Sequence, residues 1–461
     1  MKNQSKGNDF IVNGPIMQVI LTISTPIMLN NLVRTLYTVT DGWYVAQLSS
    51  EDFAATAFTW PLNFLFISIG MGIGVGGTVL IAKYIGANNP SLVRKYIDNT
   101  LLISSVLGII VSIIGYLLSP SLLALMGGQG SFLDKAIIYL QINFIGIIFD
   151  FGFFGYQAIL NAQGNTKTIT IISAISMLIN IVLDPFFIYE HISFLNIPGL
   201  GWGVAGAAWA TVISKIVLYI LAIWIVHNQA QYRMKYLKWH YNKDVTCHIL
   251  KVAFPSAMGY SGAALGFTVM NSLIQSYGTN TLAAFSMVNR ILDLVMQPQL
   301  GIGMALTSII GQNIGAKLYQ RTFQIFKQAC LLITGGSVVV SIFVLLFKEQ
   351  VLGLFITGQA DPDLWFQAKE YIDFAAFIIF FMGLFSAFNG FFQGSGQTRY
   401  SMNMSVGRLW VLRLPLIILL NTFTNLGSTG IWISMLVSNM LIVLYGYYVY
   451  RTHDWGNLFS T

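Results

Sequence analysis

Residues 16–46 read IMQVILTISTPIMLNNLVRTLYTVTDGWYVA, an apolar stretch whose only charged side chains are Arg34 and Asp41. Crossing about 30 Å of hydrocarbon takes roughly 20 residues of a helix at about 1.5 Å each, so this segment can span a bilayer. Working outward from it, eleven further runs of the same kind follow, at 54–81, 97–118, 136–160, 168–190, 203–227, 246–274, 281–311, 325–347, 367–393, 402–422 and 430–450. The composition agrees: of 461 residues, 55% are hydrophobic and 9% charged, with a mean hydropathy of +0.69. Soluble domains carry about 25% charged residues, so an ordinary cytosolic enzyme and a disordered chain are both excluded. An all-α membrane protein with twelve transmembrane helices is predicted.

The net charge of +7 reports topology rather than a nucleic-acid partner. With a cytoplasmic N-terminus, 16 of the 24 Lys and Arg fall on the inner side, and only Lys135, Lys348 and Lys369 on the outer. Both termini are therefore expected in the cytoplasm, with the first span retained rather than cleaved as a signal peptide. Arg34, Lys215, Arg290, Arg408 and Arg413 fall inside predicted spans, where each needs a partner or water. The two cysteines, Cys247 and Cys330, lie far apart with no CxxC spacing, and imply neither a disulfide nor a zinc site.

The two halves repeat one another. Pro26 and Pro255 stand at matching points of spans one and seven. Tyr84-Ile85-Gly86-Ala87 after span two recurs as Asn313-Ile314-Gly315-Ala316 after span eight, and Gly164-Asn165-Thr166-Lys167 recurs as Gly396-Gln397-Thr398-Arg399. Six spans per repeat is an even number, so the halves insert in the same orientation and form two pseudo-symmetric six-helix lobes around a central cleft. The expected organisation is a cytoplasmic tail (1–15), an N-terminal lobe (16–227), a basic cytoplasmic linker (228–245, with Arg233, Lys235, Lys238 and Lys243), a C-terminal lobe (246–450) and a second cytoplasmic tail (451–461).

Spans one and five each hold one acid, Asp41 and Asp184, about 7 Å and about 9 Å below the outer boundary at the helical rise. Asn180 precedes Asp184 by one helical turn and shares its face. Pro185 deprives the Ile181 carbonyl of its helical donor. Thr38 and Thr40 flank Asp41, and Thr211 descends in span six to a similar depth. These oxygens are hard ligands suited to Na⁺, with Asp41, Asn180 and Asp184 as the possible metal site; the same two acids can instead share a proton, because two close carboxylates do not both ionise cheaply. Other buried charges are read as partners: Lys215 with Asp150 near mid-membrane, Arg290 with Asp293 three residues along one helix, Arg34 with an acid in the cleft, Arg413 as a further cleft charge, and Arg408 snorkelling to the inner interface.

No GxxxxGK[ST] loop is present, and the glycines between Gly70 and Gly77 lie in an apolar span, where they permit close helix contact. No GxSxG or HExxH motif supports an intramembrane hydrolase. The 17 methionines and many aromatic side chains suit a cleft that accepts varied ligands.

Thr25-Pro26, Asp41-Gly42, Ile85-Gly86-Ala87, Asn180 with Asp184-Pro185, and Gly206-Ala207-Ala208-Trp209-Ala210-Thr211 together resemble the multidrug and toxic compound extrusion (MATE) family over essentially the full length. The resemblance implies twelve helices in two lobes forming a V, and export of amphipathic, often cationic compounds across the plasma membrane in exchange for Na⁺ or H⁺. It also implies a cation site at Asp41, Asn180, Asp184 and Thr211, a coupling ion as the sole cofactor, and a monomeric secondary transporter rather than an enzyme. Another branch of the family carries acids in spans seven and ten. Here span seven has none, and span ten has only Glu370 and Asp373 near its outer end. The alternative reading is a flippase for a lipid-linked oligosaccharide, in which Arg34, Arg290 and Arg413 would hold a pyrophosphate. A channel or scaffold, the third reading, explains neither the repeat nor the paired acids.

Overall fold

A computed structural model describes residues 5–192, 197–229, 241–353 and 361–455. Most of the linker, including Arg233, Lys235 and Lys238, lies outside the described residues, as do Lys2 and the last residues of the C-terminal tail. The helices run in chain order as α1 (Ser5–Asn13), α2 (Ile16–Ala46), α3 (Ser50–Gly86), α4 (Pro90–Leu125), α5 (Gly130–Ala162), α6 (Thr166–Ile188), α7 (Gly203–Gln229), α8 (Lys243–Gln275), α9 (Thr279–Val295), α10 (Gln297–Gly315), α11 (Tyr319–Leu346), α12 (Lys348–Gly353), α13 (Pro362–Gly394), α14 (Thr398–Val406), α15 (Leu414–Phe423) and α16 (Ser428–Thr452). One short antiparallel pair, β1 (His191–Ile192) with β2 (Ile197–Pro198), interrupts the helical pattern between α6 and α7.

Among the described residues ten helices are long and apolar enough to cross a membrane, and the bent pair α9–α10 makes an eleventh. The twelfth is α8, 33 residues long, whose first turns carry Lys243, Asp244 and Lys251. Twelve membrane-spanning segments result. Many large apolar side chains are exposed, among them Leu117, Val39, Phe254 and Val411, as expected of surfaces that meet lipid.

Two spans depart from a straight, regular helix. The eighth bends by 52° between α9 and α10. Pro298, in the first turn of α10, has no N–H for the Leu294 carbonyl, and its ring crowds that turn. The eleventh contains a π-helical turn, Gly407–Arg413, between α14 and α15. There the Leu414 N–H donates to the Leu409 carbonyl five residues back, and Pro415 supplies no donor to its own preceding turn.

The repeat is visible in the backbone. Non-glycine left-handed residues close α3 at Asn88 (φ 51°) and α10 at Lys317 (φ 59°), and left-handed glycines close α5 at Gly164 (φ 73°) and α13 at Gly396 (φ 78°). The same three amide hydrogens fold back over the end of α3 (Ala87 to Lys83, Asn88 to Ile85, Asn89 to Tyr84) and of α10 (Ala316 to Gln312, Lys317 to Ile314, Leu318 to Asn313).

The chain forms two compact units, each interrupted in sequence. One comprises Leu29–Ala257 with the residues before Asp9; the other comprises Asp9–Met28 together with the chain from Met258 onward. Both divisions fall within a helix, two residues beyond Pro26 in α2 and two beyond Pro255 in α8. In the first unit, Val245, Ile249 and Val252 of α8 join a core built on Phe144, Phe151, Ile97 and Ile159. The glycine run of α3 lets α8 approach: a Cβ at Gly72 would lie 2.6 Å from the Ala257 backbone nitrogen, and one at Gly76 3.0 Å from the Ala253 Cβ. In the second unit, Ile11, Val19, Ile20, Ile23 and Ile27 pack with Phe326, Phe388, Phe391 and Phe392.

Candidate cation site

Three acids of the first unit, Asp41, Asp150 and Asp184, lie within α2, α5 and α6. Helix α6 runs unbroken through Pro185, so Asn180 and Asp184 remain one turn apart on one face, and both are fully buried. Asn180 Nδ2 donates to Asp184 Oδ1 at 3.2 Å. Helix α7 comes close to α6 because Gly206, without a side chain, sits against the Phe187 backbone. That approach brings down Thr211, whose Oγ1 accepts from Tyr37 Oη at 3.1 Å. Tyr37 lies one turn before Asp41 on α2. The C-terminal end of α2 is tied to that of α6 by Tyr189, which donates to the Tyr44 carbonyl at 2.9 Å, above a small core of Val45, Ile188 and Ala207. Asp41 and Asp184 lie near enough for each charge to act on the other, and both also act on Tyr37 and Tyr139.

Three oxygens in this cluster are buried with no hydrogen-bond donor among the described residues: Asp41 Oδ1, Asn180 Oδ1 and Asp184 Oδ2. Buried acceptors without donors are costly, and a cation or a proton held there would remove the cost. The donor set of carboxylate, amide and hydroxyl oxygens suits a hard monovalent cation as well as it suits a proton. The hydroxyls of Thr38 and Thr40 are not part of this set. They bond to the Arg34 and Leu36 carbonyls of their own helix, at 3.1 and 2.9 Å.

Lys215 Nζ lies 2.7 Å from Asp150 Oδ2, with both side chains largely buried. The field of Lys215 reaches Asp41, and that of Asp150 reaches Arg34, which forms no ion pair among the described residues. Three acids, Asp41, Asp150 and Asp184, and one paired lysine, Lys215, thus share this part of the first unit.

The remaining charges are placed differently from the sequence expectation. Arg290 and Asp293 are exposed and no ion pair joins them; the three-residue spacing puts them on neighbouring flanks of α9 without forcing contact. Arg408 does not snorkel. It is 5% exposed, with its guanidinium over the Phe385 ring at 4.6 Å, because the π-turn and a polar partner, Asn439, give it an internal place. Arg413 is buried in the second unit against Ser438 and Asn439. Glu370 accepts from Thr429 and Asp373 pairs with Lys348, so both outer acids of span ten have local partners. Sequence reasoning passed over Tyr37 and Tyr139. The first was readable as the residue one turn before Asp41; the second carries no local signal.

Two like halves of six spans, with paired carboxylates in one of them, are the architecture of a multi-pass membrane transporter. The MatE family model matches the chain twice, over residues 26–186 and 255–419, and the chain belongs to this family, the multidrug and toxic compound extrusion transporters. It is similar to the probable multidrug resistance protein YoeA of Bacillus subtilis (27% identical, covering 92% of this chain and 91% of that protein), and to YpnP of the same organism, also described as a probable multidrug resistance protein (26%, 98% of each). Among solved structures it resembles a MATE in complex with MaL6, at 25% identity and a TM-score of 0.90 over 99% of this chain and 100% of that one.

Proposed function

We propose that this transporter exports small amphipathic, often cationic organic compounds across the plasma membrane in exchange for Na⁺ or H⁺. The observation that carries this reading is the set of buried oxygens on Asp41, Asn180 and Asp184 that have no hydrogen-bond partner among the described residues. One monovalent cation or one shared proton would satisfy those oxygens. The relatives named as multidrug resistance proteins support an organic cargo.

Exchange follows from linkage. If the cation favours one arrangement of α2 and the cargo another, each lowers the occupancy of the other without competing for the same atoms. Pro26 weakens α2 close to the point where the helix passes from one unit to the other, which makes it the natural place for two arrangements to differ. Alternating access then needs only that the two states open to opposite sides.

The test is efflux of a cationic dye from proteoliposomes under separately imposed Na⁺ and H⁺ gradients. Export driven by one gradient, and lost when that gradient is collapsed, is expected. Equal rates with neither gradient would overturn coupling. With both termini cytoplasmic, the exposed native Cys247 at the start of α8 should react with an impermeant maleimide only after the cells are opened, in a Cys330→Ser background.

A further inference from the structure

The second unit holds a cluster of opposite character. Arg408 and Arg413 are five residues apart, one π-turn, so the Gly407–Arg413 segment turns both toward α16. They share a single acceptor, Asn439 Oδ1, at 3.4 Å from Arg408 Nη1 and 3.0 Å from Arg413 Nη2. Arg413 Nε also donates to Ser438 Oγ at 3.0 Å. The other neighbours are soft. Met382 Sδ meets Arg408, Met270 Sδ lies 3.9 Å from Arg413 Nη1, and Phe385 and Phe267 flank the Arg408 guanidinium at 4.6 and 5.9 Å.

Among the described residues no carboxylate lies within ion-pair distance of either arginine. The two guanidinium groups are buried, to 5% and 2% exposure, beside one another. Arg408 Nε and Asn439 Nδ2 are buried donors with no acceptor. A cluster serving only to fasten helices would match its donors with acceptors, since unmet buried donors and unpaired buried charge are both destabilising. This one has two charges and spare donors, with thioether sulfurs, which are weak acceptors, where strong ones belong.

We infer that Arg408, Arg413 and Asn439 form a site for the carboxylate of an amphipathic aromatic anion. Forked guanidinium donors match the two oxygens of a carboxylate, and the amide nitrogen of Asn439 adds a third donor. Phe385 and Phe267 offer ring faces to the apolar part of the ligand. Phe267 is 37% exposed, so the Arg408 head lies one ring from the surface of the unit, and Met382 can give way because its side chain is flexible. The chemistry is complementary to that of the acid cluster in the first unit, and it stands independently of the coupling assignment.

The test uses the full-length protein in nanodiscs of phosphatidylcholine, with no gradient, titrated with 1-naphthoate in a calorimeter and separately with 1-naphthylmethylammonium. Saturable naphthoate binding is expected, weakened at least about tenfold by Arg413→Gln and less by Arg413→Lys, which keeps charge but loses the fork. Binding of the ammonium compound should be unchanged in both. Should Arg413→Gln not fold, Asn439→Asp keeps the proposal open to refutation: a resident carboxylate satisfies both arginines, so this variant should unfold at a higher temperature and bind no naphthoate. Absence of saturable naphthoate binding in the parent overturns the inference, as does parental affinity in Asn439→Asp or Arg413→Gln. Adding phosphatidylglycerol distinguishes the sources of such an oxyanion. Naphthoate binding that survives supports a soluble ligand, whereas binding abolished by the anionic lipid assigns the cluster to a lipid phosphate and overturns the proposal.

Discussion

Spans five and eleven hold the same place in the two repeats, and each carries a proline, Pro185 or Pro415, near the buried groups that matter. In span five the helix passes Pro185 without a break, and the residue before it, Asp184, belongs to a set of acceptors without donors. In span eleven the chain widens into a π-turn ahead of Pro415, and Arg413 belongs to a set of donors short of acceptors. One duplicated scaffold thus carries polar clusters of opposite demand, acceptors in one half and donors in the other. A proline fixes only where a helical hydrogen bond is missing; the neighbouring side chains decide whether the local demand is for positive or negative charge.

The strongest way to break this comparison is Asp184→Asn, which keeps shape and burial but removes the titrating, cation-attracting oxygen. Gradient-driven efflux should be abolished while insertion and yield remain near parental; active export by a correctly inserted variant would refute the site. Asp41→Asn should reduce efflux less completely, because Asp41 is partly exposed whereas Asp184 is fully buried.

Next in size is Lys215→Met. Removing one partner of a buried ion pair leaves Asp150 uncompensated and should lower stability by about 3 kcal/mol in thermal unfolding, with most of the loss recovered when Asp150→Leu is added. A single variant as stable as the parent would show that the pair is screened by water. Asn180→Leu should weaken Na⁺ dependence, or shift the pH profile if the ion is a proton, and Pro185→Ala should do so more mildly by returning an N–H to the Ile181 carbonyl. Parental profiles on both axes would reduce this part of α6 to a wall. The smallest effect concerns the matched caps. Lys317→Gly should stabilise the protein by about 1 kcal/mol, since a lysine is strained at positive φ, while Asn88→Gly should be nearly neutral because asparagine tolerates that conformation.

The sequence made the spans and the repeat legible because both depend on local pattern. The first span was delimited as residues 16–46, and α2 runs Ile16–Ala46. The loop signatures Ile85-Gly86-Ala87 and Ile314-Gly315-Ala316 end in caps of the same geometry. Asn180 and Asp184 could be paired from their spacing alone, because one helical turn fixes their relation. What stayed hidden depends on neighbours far along the chain. Nothing in span four marks Tyr139 as facing two acids, and depth alone made Arg408 a snorkelling residue when Asn439 and Phe385 hold it inside. The π-turn was equally unreadable. A proline announces a missing bond, yet whether the helix bends, widens or continues is settled by packing around it.

The exchange of helix segments at Pro26 and Pro255 bears on how the protein is made. As the chain leaves the ribosome, the first unit cannot complete its core until Val245, Ile249 and Val252 have emerged, well after its own six spans are inserted. The residues Ile11 to Ile27 must in turn wait, without their permanent neighbours, for a partner synthesised hundreds of residues later. A chain cut at the connector would therefore yield two fragments, each missing part of its own core and carrying part of the other's. Such fragments should accumulate only when produced together in one cell, and be degraded when produced apart.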